Sequence, residues 1–191
     1  MQIVKLGGSL YDTAELTSWL ALLADYAKHE AVVIVPGGGP FAEMIRKAQV
    51  LHRFDDKHAH HMAILAMAQY GLLLHGLLPT ALTIKIPDAA PTSSQLAIWL
   101  PDDQLLQVDE LKQSWHITSD SLALWFAQQH PQSKLNLIKC VAVDTGEINQ
   151  LSRKGVIDKG FEDLYHRNPI DTQIIHYQNY NEFPNNGVAL V

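Results

Sequence analysis

Cysteine, basic charge and long uninterrupted apolar runs are all scarce in this chain. The 191 residues include one cysteine, Cys140, which excludes an internal disulfide and fits a reducing compartment. No secretory signal is visible, because Met1 leads directly into a strand-like segment. The longest apolar stretch, roughly residues 61–78, is interrupted by Gln69 and His75, so a buried helix explains it better than a membrane span. We therefore expect a cytoplasmic protein that makes no use of a membrane.

Positive charge is outweighed by negative charge. The chain has 14 lysines and arginines against 20 aspartates and glutamates, a formal net charge of -6. This balance lacks the basic footprint of a nucleic-acid-binding protein, so we expect no such partner. The loops G-x-x-x-x-G-K-[ST] and G-x-G-x-x-G are also missing, which disfavours a P-loop ATPase and a Rossmann dehydrogenase. Any phosphate site must therefore be local, built from a few lysines and backbone amides.

Apolar β-branched segments alternate with helical patterns along the chain. A strand at residues 2–6, apolar positions at helical spacing within 13–30 and a Val/Ile run at 31–36 predict a right-handed βαβ unit. Further helices are predicted within 41–51, 55–77, 116–130 and 161–165, and further strands within 79–91, 94–107, 133–144, 171–179 and 187–191. This alternation indicates a single α/β domain over residues 1–191 with a mainly parallel sheet.

Two of these strands end in glycine clusters. Gly7 and Gly8 follow the first strand, and residues 37–39 follow the second. Ligands of parallel α/β sheets bind beyond the carboxyl ends of the strands, where glycine lets the backbone approach closely and its N–H groups attract anions. Lys5 adds a positive charge beside them. Either cluster alone would be explained by a tight strand-to-helix turn, but together they suit a phosphate in transit between two molecules.

Three motifs give the chain a family resemblance. "KLGGSL", "VPGGGPFA" and "ITSDSLALWFA", in this order and spacing, resemble the amino acid kinase family over the chain up to about Asp144. The resemblance implies a three-layer αβα sandwich, with an acceptor-side lobe at about 1–115 and a nucleotide-side lobe at about 116–191. Lys5 would contact the transferred phosphoryl group and Asp120 would orient the lysines, although Asp120 also suits plain helix capping. The phosphate path would be lined by Gly7, Gly8, Ser9, Gly37, Gly38 and Gly39.

The resemblance also implies a second lysine on the ATP phosphates, and here the sequence departs from the pattern. Lys139 lies in a late strand, and Lys154 and Lys159 lie in "RKGVIDKGF". The nucleotide-binding candidates that we select are Lys139, Lys154 and Asp144, the last of which would also suit a turn. Without a clear second lysine, a non-catalytic nucleotide-binding or regulatory protein of the same fold stays an alternative.

The histidine-rich segment at 55–77 raises the question of a metal. His58 and His61 could share a helix face, but no cysteine or carboxylate stands at convincing ligand spacing, so we predict no metal site there. Solvated or capping histidines, or recognition of the acceptor, are the alternatives, and a storage or scaffold role like that of a metal-oxide-binding relative of the family is a further one. Cys140 is expected to be an inert core residue.

Within the family, the short chain, "HHMAILAMAQYG" and "GVIDKGF" resemble a compact subgroup. Members of that subgroup use ATP to convert an aminomethylfuran-methyl phosphate into its diphosphate in methanofuran biosynthesis. The resemblance implies ATP and Mg²⁺ as cofactors, a small-molecule phosphate acceptor as partner and a homo-oligomeric assembly. A kinase for another carboxylate or phosphate metabolite is the alternative within the same class.

Overall fold

One sheet organises the protein, for which the computed structural model describes residues 1–185 and 187–191. Its strands are β1 Gln2–Leu6, β2 Val32–Pro36, β3 Leu82–Ile84, β4 Leu96–Trp99, β5 Lys134–Lys139, β6 Thr172–His176 and β7 Val188–Ala189. They lie in the order β3-β4-β2-β1-β5-β6-β7, and every neighbouring pair is parallel except β6 and β7. The predicted α/β class with a mainly parallel sheet is confirmed.

Six α-helices connect these strands in the described part of the chain. They are α1 Glu15–Tyr26, α2 Gly39–His52, α3 Asp56–Leu77, α4 Ser119–Gln128, α5 Ile148–Arg153 and α6 Lys159–Arg167. Helix α5 was not predicted, because its segment is polar and only Ile148 and Leu151 are buried. Helix α6 extends the short helix predicted at 161–165 by one turn.

The sheet is covered on both faces, which gives the expected three layers. Successive residues of β1 face opposite sides: Ile3 packs in the apolar cluster that includes α4 and α6, and Val4 packs in the cluster that includes α1. All five residues of β1 and of β2 are buried. Continuous burial of this kind explains why these strands read as apolar runs rather than as alternating patterns.

Helix α3 is less buried than its composition predicts. Met62, Leu65 and Leu72 are 40%, 46% and 56% exposed, so the expectation of a buried helix at 61–78 holds for one face and is wrong for the other. The opposite face is buried through Ile64, Met67 and other side chains. No helix within the described ranges combines the length and the hydropathy needed to cross a bilayer.

Candidate active site

Two lysines and one aspartate meet at the carboxyl edge of the sheet. Strand β1 lies between β2 and β5, so Lys5 and Lys139, near the ends of β1 and β5, reach the same edge. Asp120, in the first turn of α4, lies between them. Its Oδ1 is 2.9 Å from Lys5 Nζ and its Oδ2 is 2.5 Å from Lys139 Nζ. We call Lys5, Asp120 and Lys139 the ion triad.

The ion triad is buried and carries a surplus of positive charge. Lys5 and Asp120 are only 6% and 5% exposed. Burial by itself would raise the pKa of Asp120, but the attraction of Lys139 and Lys5 outweighs it and lowers the pKa to about 2. Burial, assisted by Lys5, lowers the pKa of Lys139 although Asp120 opposes it. The triad sets two lysine side chains against one carboxylate, and Asp158 is a further carboxylate that attracts Lys139.

The two glycine turns touch each other beside the ion triad. A Cβ added to Gly8 would lie 2.3 Å from the Gly39 nitrogen, and one added to Gly37 would lie 2.5 Å from the Gly8 nitrogen. A Cβ on Gly7 would lie 3.3 Å from Lys5 Nζ. The separations at Gly8 and Gly37 leave no room for side chains, so glycine is required where the turns meet. The two glycine clusters that the sequence assigns to a phosphate therefore lie together beside Lys5.

A cavity of about 490 Å³, which we call the larger cavity, opens at the glycine turns. Its wall includes Gly8, Ser9, Gly38 and Gly39 from the turns, Glu43 and Arg46 from α2, His60, Ile64 and Met67 from α3, Trp115 from the segment before α4, and Thr118 and Ser119 at the start of α4. Arg46 stacks on the Trp115 ring with 3.8 Å between the guanidinium carbon and the ring centroid. The volume lies in the range of small-molecule sites. The cavity combines glycine backbone with one guanidinium, the carboxylates of Asp12 and Glu43, and an apolar wall.

A cavity of about 350 Å³, which we call the smaller cavity, reaches the ion triad. Asp120 and Lys139 line it, together with Thr118, Ser152, Gly155, Asp158 and Lys159. Thr118 lines both cavities. The two cavities therefore adjoin at Thr118, and the ion triad borders the smaller of them.

The structure separates the nucleotide-binding candidates. Lys139 joins the ion triad, whereas Lys154 pairs with Asp144 at 3.5 Å on the surface, where the Asp144 side chain is 86% exposed. Neither Lys154 nor Asp144 lines one of the two cavities. Lys159, which was named but not selected from the sequence, lines the smaller cavity at the first position of α6. The sequence feature that could have identified Lys159 is the preceding Asp158, because aspartate is a typical helix N-cap and so places Lys159 at the start of a helix.

The histidine-rich helix contributes to the larger cavity. His58 Nδ1 lies 2.6 Å from Oδ1 of Asp55, the N-cap of α3, so this histidine takes part in capping. His60 lines the cavity, its Nδ1 lies 3.2 Å from the Ser114 carbonyl, and burial lowers its pKa. Cys140 is partly buried, with Sγ 3.7 Å from the Ser9 carbonyl.

The fold and the ion triad at the sheet edge define the class of protein, and comparison with known proteins agrees. The chain belongs to the amino acid kinase family, which it matches over residues 1–142. It is 37% identical over 133 residues to [5-(aminomethyl)furan-3-yl]methyl phosphate kinase of Methanocaldococcus jannaschii. That match covers 67% of this chain and 60% of the relative, so the chain spans three-fifths of the relative's length.

Solved structures of two kinases share the fold. Uridylate kinase of Archaeoglobus fulgidus has a TM-score of 0.73 at 17% identity, covering 99% of this chain and 98% of that one. UMP kinase of Ureaplasma parvum has a TM-score of 0.69 at 18% identity, covering 98% and 96%. At such identities the likeness shows the fold alone.

Proposed function

We propose that the protein is an ATP-dependent kinase that phosphorylates a small phosphate-bearing acceptor. The observation that carries the proposal is the ion triad, which borders the smaller cavity and lies beside two touching glycine turns. The acceptor that we propose is [5-(aminomethyl)furan-3-yl]methyl phosphate, because the 37% identical relative bears that substrate in its name. The products would be the corresponding diphosphate and ADP.

The reaction needs positioning and charge stabilisation more than proton transfer. An oxygen of the acceptor phosphate attacks the γ-phosphorus of ATP, the new P–O bond forms, and the bond to the β-phosphate oxygen breaks as ADP leaves. A phosphate monoester is largely dianionic at pH 7, so the attacking oxygen needs no general base. The surplus positive charge of the ion triad would stabilise the negative charge that spreads over the transferred group.

Each part of the site has a place in this reaction. Lys5 and the backbone N–H groups of the glycine turns would contact the transferred group. Asp120 would fix the positions of the Lys5 and Lys139 ammonium groups. The larger cavity would take the acceptor and the smaller cavity the polyphosphate of ATP, with Lys159 at its wall. This assignment carries forward the division into an acceptor-side lobe and a nucleotide-side lobe.

Mg²⁺ would reach this site with ATP rather than in a cage of protein ligands. Within the described ranges, no group of three or more His, Cys, Asp or Glu side chains is placed to hold a metal ion. The Asp120 oxygens face the two lysines, and Asp158 accepts hydrogen bonds from protein donors. The side chains present therefore do not form a dedicated metal site, and Mg²⁺ would be held chiefly by the phosphates.

A coupled assay of ADP release tests the proposal. We expect turnover with the furan-methyl phosphate and ATP, and at least about a hundredfold lower kcat/KM with UMP, since a site built for one acceptor leaves polar groups of another unpaired. Turnover with a different phosphate or carboxylate acceptor would support the proposed kinase activity but contradict the proposed substrate. ATP binding without turnover of any acceptor would contradict the proposal and support the non-catalytic alternative.

We also propose that the protein forms a homo-oligomer through α3. The exposed residues Met62, Leu65 and Leu72 are three and seven positions apart, so they form one apolar stripe along the helix. Val50 and Leu51, at the end of the neighbouring α2, are 81% and 74% exposed. An apolar surface of this extent is typical of a self-complementary contact between two copies of a chain.

A further inference from the structure

One carboxylate outside the ion triad connects two helices. Asp158 is the N-cap of α6, where Oδ1 accepts a 2.8 Å hydrogen bond from the Phe161 N–H. The same side chain reaches the start of α4. Its Oδ2 accepts hydrogen bonds from the N–H groups of Thr118 and Ser121 at 2.9 and 3.1 Å. The Thr118 hydroxyl donates to Oδ2 at 2.7 Å, and the Ser121 hydroxyl donates to Oδ1.

Helix α4 consequently takes its cap from another part of the chain. Thr118 occupies the N-cap position of α4, yet its side chain makes no capping bond within the helix. The first N–H groups of a helix lack intrahelical partners, and a carboxylate is well suited to satisfy them. Asp158 does so for α4 while it also caps α6.

Asp120 lies in the turn that Asp158 holds. It stands between Thr118 and Ser121, both of which are bonded to Asp158 through backbone and hydroxyl groups. The start of α6 is also packed against the segment that enters α4. The Gly160 N–H donates to the His116 carbonyl at 2.7 Å, and a Cβ on Gly160 would lie 2.2 Å from Cδ1 of Ile117.

We propose that Asp158 is a positioning residue of the active site: it fixes the first turn of α4 so that Asp120 bridges Lys5 and Lys139. Its effect on turnover rests on the proposed kinase function. Asp158 would act through Asp120 and not on the phosphates themselves. Transfer geometry is sensitive to misplacement by about 1 Å, so loosening this turn should slow the reaction.

The first test compares two N-cap aspartates. Asp158→Ala and Asp55→Ala each remove a cap, from α6 and α3 respectively, so both should lower the Tm by a few degrees. Asp158→Ala should also lower kcat about 10- to 100-fold at temperatures well below its Tm, whereas Asp55→Ala should stay within about twofold of the original chain. An unchanged kcat in Asp158→Ala would overturn the proposal.

A double-mutant cycle separates positioning from general stability. If Asp158 acts through Asp120, then Asp120→Asn combined with Asp158→Ala should be no slower than Asp120→Asn alone. Losses that multiply would overturn the proposal. Ser121→Ala removes the hydroxyl donor to Asp158 but keeps the hydrogen bonds from the Thr118 and Ser121 N–H groups. It therefore replaces Asp158→Ala in the cycle if that variant does not fold. The loss of kcat in Ser121→Ala should likewise disappear in the Asp120→Asn background.

A structural measurement, which does not depend on turnover, tests the positioning role separately from the proposed kinase function. Crystal structures of Asp158→Ala and Ser121→Ala should show the Lys5–Asp120 separation lengthened beyond the 2.9 Å of the original chain. An unchanged separation in both variants would overturn the positioning role, whichever acceptor is used. Failure of the original chain to phosphorylate any acceptor would instead overturn the proposed function alone.

Discussion

At the scale of single residues, the ion triad is costly to bury and suited to an anion. Removing two ammonium groups and a carboxylate from water carries a desolvation cost that their mutual attraction offsets only in part. Asp120 is shared by two lysines, so its single charge cannot neutralise both. A phosphoryl group bound beside the two lysines would add negative charge there, which gives this arrangement a functional explanation that stability alone does not provide.

Replacing Lys5 by methionine should separate catalysis from folding. Lys5→Met keeps most of the apolar stem in the sheet and leaves Asp120 paired with Lys139, so the fold should be retained. The kcat should fall about 10²- to 10³-fold, because the lost ammonium acts mainly in the transition state, while the KM for ATP changes little. Steady-state kinetics with circular dichroism as the folding check would measure this.

The matched control for that substitution is Lys28→Met. Lys28 is 69% exposed and pairs with Asp25 on the surface, so the same chemical change there should leave kcat within about twofold. A Lys5→Met protein that retained the original kcat would remove Lys5 from the reaction.

At the scale of elements, the contact between the two glycine turns should tolerate no side chain. Gly37→Ala would place a Cβ 2.5 Å from the Gly8 nitrogen, so the turns must move apart. We expect a lower Tm and at least about a tenfold loss of kcat/KM, since donors displaced by 1 Å no longer fit the transferred group. Thermal unfolding and kinetics of the same preparation would measure both effects.

Gly76→Ala in α3 is the control for this substitution. A Cβ at Gly76 meets nothing within 4 Å, and alanine favours a helix over glycine by about 0.5–1 kcal/mol. Its Tm should therefore stay the same or rise, with unchanged kinetics. Equal Tm values for Gly37→Ala and Gly76→Ala would contradict the close approach of the turns.

The sequence predicted the individual strands and helices well, but it did not predict which of them lie next to each other in the fold. The apolar run of β1, the Val/Ile run of β2 and the glycines after them predicted both the strands and the meeting of the turns. The choice between Lys139 and Lys154 depends on β5 lying beside β1, and strand order is a long-range property that local patterns do not contain. Asp158 was missed for the same reason, since its bonds to Thr118 and Ser121 join segments that are distant in the chain.

At the scale of the whole molecule, α3 has two different faces. One face lines the larger cavity through His60, Ile64 and Met67, and another exposes Leu65 and Leu72. A contact between two copies at the exposed stripe would support the helix that forms a wall of the larger cavity. Assembly and acceptor binding would then be linked through one element, because a partner bound to the stripe stabilises the conformation that shapes the cavity.

Adding charge to that stripe should dissociate the assembly. In Leu65→Lys combined with Leu72→Lys, two ammonium groups from each copy would be buried at a self-complementary contact, where like charges repel. Light scattering after size exclusion should then give a mass near the 21.3 kDa of one chain, and the KM for the acceptor should rise. Ile86→Lys, at a 43% exposed position beyond β3, adds charge outside the stripe and should leave the mass unchanged. An oligomer that survives the double substitution would place the contact elsewhere on the molecule.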